Sequence, residues 1–245
     1  MTSYLGYDCA NKSLAWSHVT IDTDILIKLA ALLPDLKRCV DENLSVEQCL
    51  GVIGRFRSVM SGFFRYHSAG VTDLLDGVLM RDTDEIDRTI ALHRFLKDQA
   101  IPTDTEIVIE HQNNIGAMTN RASTIVSAQL AYHYVSHNHE VTYVDPGLKN
   151  KLELAPHLSI RDYVARELPR HKKVSDARYA ANKKHSRDSF TYVLDLFGHS
   201  YVYRDTPKIY LDDLADSTME LLAIVRRDRL LAQALFLSDY SYVII

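Results

Sequence analysis

Residues 3–21 of the chain read SYLGYDCANKSLAWSHVTI, and this stretch determines the fold. Two runs of strand-forming residues, 3–9 and 13–21, flank the polar tripeptide 10–12, which is typical of a tight turn. The stretch therefore predicts an antiparallel hairpin. Asp8 lies near the end of the first strand, and an acid inside a run that should be buried destabilises the fold unless it is paired or binds a metal.

The segment after the hairpin has helical spacing. Apolar residues recur at helix intervals up to Pro34, and Ser45 with Gln48 forms a capping-box pattern at the start of a second run that ends near residue 64. We expect a helical insertion over residues 24–68, followed by a return to the sheet at about residues 73–80.

The rest of the chain alternates helix and strand patterns. Residues 106–110 and 141–144 are predicted strands, and the first is apolar on both faces except for Glu110, as expected of a central strand. Helices are predicted over 84–97, 118–136, 160–168 and 187–197, and from about Asp212 onward. This order predicts a single α/β domain over residues 1–245, with a mixed sheet flanked by helices.

A third acidic segment, LDDLADS at residues 211–217, opens the last predicted helix. Acids in a first helical turn are ordinary, because they favour the positive end of the helix dipole. Together with Asp8 and Glu110, however, the segment suggests one shared cation site. Asp213 and Asp216 share a helix face at i, i+3, and Asp212 and Asp216 share one at i, i+4, so the spacing leaves the pair open.

Several carboxylates that converge on one small volume suit two-metal phosphodiester hydrolysis. Such sites hold two Mg²⁺ or Mn²⁺ ions roughly 3.5–4 Å apart. Hard oxygen ligands suit these ions, and the sequence has no Cys or His cluster of the kind that indicates zinc. The sequence therefore predicts Mg²⁺ or Mn²⁺, with two ions in each active site.

Composition and charge limit the class of partner. The chain has 245 residues, 47% of them hydrophobic, and a formal net charge of −4, which argues against a protein that coats nucleic acid indiscriminately. Residues 166–187 nevertheless carry eight basic side chains against two acidic ones. This basic stretch is either a solvated face or a phosphate-binding surface, and the sequence leaves both open.

Cysteine usage and hydropathy indicate an intracellular protein. The three cysteines are odd in number and have no metal-ligand spacing, which favours a reducing compartment. No apolar run approaches the roughly 20 residues that cross a bilayer, so no membrane association is expected. We also expect no cleavable presequence, since strand-forming residues begin at Ser3.

Several motifs resemble those of the RuvC-like Holliday junction resolvases. Residues 4–15 resemble the first motif of that family, and residues 107–112, a strand ending in Glu with Gln two places on, resemble the second. Lys208 followed by residues 212–217 is similar to the last motif, an Asp-x-x-Asp that opens the final helix. Residues 143–152 and 182–185 look more like the poxvirus and iridovirus branch than the bacterial one. The chain departs from the family at Ala10, where Gly is common, and in the insertion, which smaller members lack.

The resemblance implies a ribonuclease H-like fold and a homodimer that makes paired nicks across a four-way DNA junction. It implies a viral protein that acts in the host cell where viral DNA replicates. It assigns catalytic and metal-binding roles to Asp8, Glu110, Asp213 and Asp216, which selects the i, i+3 pair by analogy. The insertion would then serve dimerisation or junction binding, or have no such role, and these readings stay open.

Branched DNA is therefore the expected partner. The resemblance implies that Lys183 and Lys184 face phosphates. We also expect DNA contacts from basic and amide side chains in and near the motifs and in the basic stretch. These residues are Lys12, Gln112, Asn113, Lys149, Lys151, Lys172, Lys173, Lys183, Lys184 and His185. The alternative is a non-catalytic binder of branched DNA, although four acids near phosphates without a metal argue against it. An actin-like phosphotransferase begins with a similar hairpin, but its glycine-rich phosphate turns are absent from this sequence.

Overall fold

The computed structural model describes residues 1–10, 12–22, 24–42, 44–75, 77, 84–111, 121–152, 154 and 156–225. Within them, five strands form one sheet in the order β3-β2-β1-β4-β5. The strands are β1 (Thr2–Cys9), β2 (Ser13–Ile21), β3 (Phe64–Asp73), β4 (Thr105–Glu110) and β5 (Val141–Val144). β2 pairs antiparallel with β1 and β3, whereas β4 is parallel to both β1 and β5. The predicted mixed α/β sheet is confirmed, and it is consistent with a ribonuclease H-like fold.

Helices cover both faces of the sheet. In the described part of the chain they are α1 (Asp24–Asp41), α2 (Val46–Met60), α3 (Glu85–Lys97), α4 (Arg121–Ser136), α5 (Ile160–Glu167), α6 (Val174–Leu196), α7 (Tyr201–Asp205) and α8 (Lys208–Val225). One core lies between the sheet and α3 with α4, and a larger core lies between the other face and α1, α2, α6 and α8. None of these helices is both long and apolar enough to cross a membrane.

Two helices, α1 and α2, lie between β2 and β3 within the range predicted as a helical insertion, and the second helix begins as expected. The Ser45 hydroxyl accepts from the Gln48 backbone, and the Gln48 side chain accepts from the Ser45 backbone, so the capping box is confirmed. β3 runs from Phe64 to Asp73, so it occupies the end of the expected insertion. In the range 73–80 predicted as a strand, Leu74, Leu75 and Gly77 lie in a turn, which corrects the prediction there, and residues 76 and 78–80 lie outside the described residues. Beyond Tyr66 this edge strand has exposed or half-buried side chains, so it lacks the apolar alternation that would have indicated it.

Two predicted helix starts also need correction. α6 begins at Val174 rather than at residue 187, so most of the basic stretch lies on a helix. Up to Ser189, the buried side of α6 consists of small and polar residues at helical spacing, which leave no apolar stripe to recognise: Ala177, Ala181, His185 and Ser189. α8 begins at Lys208, one turn before the acidic segment.

Candidate metal centre

The register of the sheet places Asp8 beside Glu110. β1 and β4 are parallel, with Tyr7 opposite Ile109, so the next residue of each strand lies at the same edge of the sheet. Successive side chains of a strand point to opposite faces. Asp8 and Glu110 therefore share the face that α8 covers, and both are buried.

Helix α8 packs directly on β1 because Gly6 has no side chain. A Cβ at Gly6 would lie 2.7 Å from the Ser217 carbonyl oxygen and 2.8 Å from Leu221 Cγ. Buried hydroxyl groups fasten the same part of α8 to β2, since Ser17 Oγ lies 2.8 Å from both Ser217 Oγ and Thr218 Oγ1. This close packing brings the acids of α8 to the ends of β1 and β4.

Three acids of α8 form a stripe along one helix face. Asp213, Asp216 and Glu220 are spaced at i, i+3 and i+7, which places them one above another. Their exposure falls along the stripe, from 26% for the Asp213 side chain to 6% for Asp216 and 0% for Glu220. The stripe therefore runs from the rim of the site at Asp213 to its floor at Glu220.

The floor of the site contains a set of carboxylate oxygens that can bind a metal ion. Asp8, Glu110 and Glu220 each offer one oxygen, and these oxygens lie within 4.8 Å of one another. An ion with metal–oxygen distances of roughly 2.0–2.6 Å brings its ligand oxygens to within about 4–5 Å of each other. The spacing and the hard oxygen donors suit a divalent cation.

The ammonium group of Lys149 lies among these acids. Its Nζ is 3.1 Å from Glu110, 3.2 Å from Asp216 and 3.0 Å from Glu220. Lys149 reaches this position because β5 ends beside Glu110 and a turn then leads into the 3₁₀ turn Lys149–Lys151. Burial alone would lower the pKa of Lys149, but the surrounding carboxylates, Glu220 foremost, hold that pKa well above its usual range.

Asp216 is already neutralised by its neighbours. Its Oδ1 accepts a hydrogen bond from Ser186 at 2.5 Å, and its Oδ2 lies 2.7 Å from Lys183 Nζ and 3.2 Å from Lys149 Nζ. Burial raises the pKa of Asp216, but Lys149 and Lys183 outweigh burial, and the pKa is lowered. Asp216 therefore carries a negative charge that these two lysines balance.

The pKa values of Asp8 and Glu220 are raised, unlike that of Asp216. Burial, followed by the charge of Glu110, holds the pKa of Asp8 well above its usual range. Burial also raises the pKa of Glu220 strongly, although Lys149 opposes the shift. Glu220 Oε2 is buried and has no hydrogen-bond partner among the described residues. A buried carboxylate oxygen in this state is stabilised by a proton or by a cation.

The charge of the cluster also fits a divalent cation. Four buried acids, Asp8, Glu110, Asp216 and Glu220, and the two lysines that contact them, the buried Lys149 and the partly exposed Lys183, leave a formal charge of −2. One divalent cation would neutralise this charge.

Asp213 and Asp212 occupy different places at the start of the stripe. Asp213 lines the cleft above the cluster, where it accepts a 3.2 Å hydrogen bond from Ser13 and lies 4.0 Å from Lys183 Nζ. Asp212 forms an ion pair with Arg187 at 3.2 Å. Because α8 begins at Lys208, Asp212 is not its N-cap.

A cleft of about 400 Å³ opens above the acids. Asp8, Glu110, Asp213 and Asp216 all line it, so the structure brings together the four side chains that the sequence predicted. Tyr179, Asn182 and Lys183 of α6 also line this cleft. The geometric expectation that distant acids converge is confirmed, while their roles in catalysis stay predictions.

The residues expected to contact DNA separate into three groups. Lys12, Lys172 and Lys173 are exposed, and Lys184 is half-buried. Lys149 and Lys183 face the acids of the cluster, and His185 is fully buried against Tyr163, which leaves no surface of His185 for a DNA contact. Gln112, Asn113 and the side chain of Lys151 lie outside the described residues.

Sequence reasoning missed Glu220 and the pairing of Lys149 with the acids. Glu220 lies four positions after Asp216 and interrupts the apolar run that starts at Met219. The rule that singled out Asp8 and Glu110, an acid inside a run that should be buried, applies equally to Glu220. No comparable signal in the sequence indicated that Lys149 or Ser186 would reach the site.

Comparison with known proteins does not assign this chain to a family. No family model matches the sequence, and no curated protein matches it.

Proposed function

We propose that this chain is a RuvC-like Holliday junction resolvase of the poxvirus and iridovirus branch. In this proposal it is a Mg²⁺- or Mn²⁺-dependent endonuclease that acts as a homodimer and makes paired nicks in four-way DNA junctions. The observation that supports the proposal best is the meeting of Asp8, Glu110 and Asp216 in one buried cluster beneath an open cleft. These acids come from two strand ends and a helix about one hundred positions apart.

The acids would act by holding divalent ions at the cleft. Asp8 and Glu110 are placed for an ion at the floor, and Asp213 with Asp216 for an ion at the rim. Bound ions would supply an activated water and neutralise charge on the leaving 3′ oxygen. Lys183, which is 25% exposed and bonded to Asp216, would orient that carboxylate and contact the phosphate from the cleft wall.

The exposed basic residues fit the proposed substrate. Lys172 and Lys173 lie at the start of α6, the helix whose middle lines the cleft, so DNA that reaches the acids would pass along a positively charged surface. A homodimer would present two such clefts, which is what symmetric nicking of a junction requires. An intracellular viral protein that acts where viral DNA replicates remains part of the proposal.

The test is a cleavage assay with synthetic DNA. The wild-type protein is expected to cut a four-way junction in Mg²⁺ or Mn²⁺, to cut it far faster than linear duplex, and to stop cutting in chelator. Asp8→Asn should lower the cleavage rate at least about 100-fold, because metal-assisted hydrolysis supplies several kcal/mol of transition-state stabilisation. Junction binding by this variant should stay intact or tighten.

The matched control is Asp212→Asn. Asp212 is also an aspartate near the start of α8, but it pairs with Arg187 and does not line the cleft, so cleavage should change less than about threefold. Cleavage by Asp8→Asn at the wild-type rate would refute the proposed role of Asp8. Wild-type protein that cuts no branched DNA in either metal would refute the nuclease.

The ion pairs of Lys149 favour a second candidate, a non-catalytic binder of branched DNA. Its ammonium already pairs with three of the acids, as in a structural ion-pair cluster. The residual charge of the cluster and the orphan oxygen of Glu220 weigh against this candidate. A protein that binds the junction tightly but does not cleave it, and whose binding chelator does not change, would be the non-catalytic binder.

A further inference from the structure

We propose that Glu220 completes an inner metal site with Asp8 and Glu110, and that this site takes one Mg²⁺ or Mn²⁺ ion before any nucleic acid binds. The inference deepens the proposed function and rests on it for the use of the ion in catalysis. Ion binding itself rests only on the geometry of the floor.

The position of Glu220 supports the inner site. Glu220 lies one helical turn deeper than Asp216, and its side chain is fully buried. The close approach of α8 to Gly6 places this turn of the helix against the carboxyl end of β1. One oxygen each of Glu220, Asp8 and Glu110 therefore falls within 4.8 Å of the others, a spacing that one small cation spans.

One carboxylate oxygen of Glu220 has unsatisfied bonding capacity. Lys149 contacts Glu220 Oε1 at 3.0 Å, whereas the buried Oε2 has no hydrogen-bond partner in the described parts of the chain. Burying a carboxylate oxygen without a partner is strongly unfavourable. A divalent cation at the floor would remove this penalty, since carboxylate oxygens are its preferred ligands.

Glu220 has a carboxylate oxygen available for an ion, whereas Asp216, the acid that the Asp-x-x-Asp motif favours, does not. Both oxygens of Asp216 already accept hydrogen bonds from protein groups, at 2.5 Å from Ser186 and 2.7 Å from Lys183. Binding an ion through Asp216 would require these bonds to lengthen or break. Binding through the free oxygen of Glu220 breaks none of them.

The charge of the cluster also supports a single resident ion. The cluster carries a formal charge of −2 after Lys149 and Lys183 are counted against the four buried acids, so a single divalent ion neutralises it. A second resident ion would leave the buried cluster positively charged. The second ion of the proposed reaction would therefore bind at the rim, with the DNA phosphate as part of its ligand set.

The experiment measures Mn²⁺ binding to the DNA-free full chain by electron paramagnetic resonance, with Mg²⁺ as competitor. The wild type should bind one ion, and Glu220→Gln should weaken that binding at least about tenfold, since even the loss of an outer partner of a metal site costs 10–100-fold. Glu47→Gln, an exposed residue in the first turn of α2, should leave binding unchanged.

Thermal unfolding separates a ligand from a merely structural acid. In chelator at pH 8, Glu220→Gln should melt at or above the wild-type temperature, because glutamine keeps the side-chain volume and brings no charge into the buried floor. Saturating Mg²⁺ should raise the wild-type Tm by roughly 5 °C or more and that of Glu220→Gln by much less. A Glu220→Gln variant that melts far below the wild type in chelator, yet gains as much from Mg²⁺, would overturn the inference.

Other outcomes of these experiments also test the inner metal site. Wild-type affinity in Glu220→Gln, or loss of the first ion in Asp213→Asn but not in Glu220→Gln, would place the resident ion at the rim and overturn the inner site. No ion bound by the wild type at millimolar Mn²⁺ would overturn it as well, while the nuclease would still be judged by Asp8→Asn. One Glu220-dependent ion in a protein that cuts no junction would uphold the inner site and refute the nuclease.

Discussion

The floor and the rim of the acid stripe on α8 differ in what balances their charge. At the floor, Glu220 is fully buried and contacts one ammonium group through one oxygen. At the rim, Asp213 is 26% exposed and accepts from the Ser13 hydroxyl, so water and neighbouring groups can stabilise its charge. The difference indicates that the floor needs a proton or a cation to stabilise its carboxylates, whereas water and neighbouring groups stabilise the rim.

Replacement of Lys149 is expected to give the largest effect on folding. Lys149→Met would leave Glu110, Asp216 and Glu220 without their shared ammonium, and removing one partner of a buried ion pair costs about 3–5 kcal/mol. Urea unfolding in chelator measures the loss, and Mg²⁺ should restore part of it.

Lys183→Met is the matched variant at the rim. Lys183 is 25% exposed and bonds mainly to Asp216, so the loss should be about 1.5–3 kcal/mol. An equal or smaller loss for Lys149→Met would show that the floor is not the more demanding region.

A methyl group at Gly6 should disturb the floor through the packing of α8. In Gly6→Ala the new Cβ would meet the Ser217 carbonyl at 2.7 Å, and overpacking of this kind costs about 1–3 kcal/mol. Junction cleavage and first-ion affinity should fall together, since both depend on where α8 places its acids.

Gly54→Ala provides the control for Gly6→Ala. Gly54 lies inside α2, and a Cβ added there would meet no atom of another part of the described chain within 4 Å, so alanine should stabilise the protein by about 0.5–1 kcal/mol. Unfolding midpoints compare the two variants. A harmless Gly6→Ala would mean that α8 does not need its close contact with β1.

The pH dependence of stability should separate Glu220 from Asp213. Burial raises the folded-state pKa of Glu220 strongly, and that of Asp213 is also raised, chiefly by burial. A raised carboxyl pKa contributes stability that is complete below the unfolded value of about 4 and is lost as the pH rises toward the folded-state value. In chelator, the Tm of Glu220→Gln should therefore gain on that of the wild type by several degrees between pH 5 and pH 8.

Asp213→Asn should gain less over the same pH range, because its carboxylate is half-buried and bonded to Ser13. Thermal melts at three pH values measure both differences. A larger pH-dependent gain in Asp213→Asn would reverse the assignment of floor and rim.

The smallest effect is expected outside the cleft. Lys172 and Lys173 are exposed, so replacing both by alanine should weaken junction binding modestly. The plot of log K against log salt concentration should become less steep, its negative slope shrinking in magnitude by about two. Lys183→Ala should instead lower cleavage more than binding, since Lys183 faces Asp216. An unchanged salt slope in the double variant would make the start of α6 an ordinary solvated surface.

Much of the fold was predictable because its signals are local. The hairpin of β1 and β2, the capping box at Ser45 and the apolar strand ending in Glu110 each depend on residues that are close together in the chain. β3 and the start of α6 escaped prediction because neither has a clear pattern of alternating apolar and polar residues. β3 is a mostly exposed edge strand, and the buried residues in the first part of α6 are alanine, serine and histidine.

The candidate site was predictable in part. Asp8 and Glu110 were recognisable because each is an acid at the end of an apolar strand, and Asp216 because it follows Asp213 at helical spacing. Glu220 carried the same signal and was recoverable by the same reasoning. The position of Lys149 was not, because a lysine in a polar loop reads as a surface group until the strand before it is placed.

The sequence by itself determined which acids had to be buried, because an isolated carboxylate in an apolar run needs a partner wherever the chain takes it. Only the tertiary structure decided which acids share a partner. The parallel register of β1 with β4 and the contact of α8 with Gly6 are long-range geometry, and they place Glu220 and Lys149 at the floor and leave Asp213 at the rim.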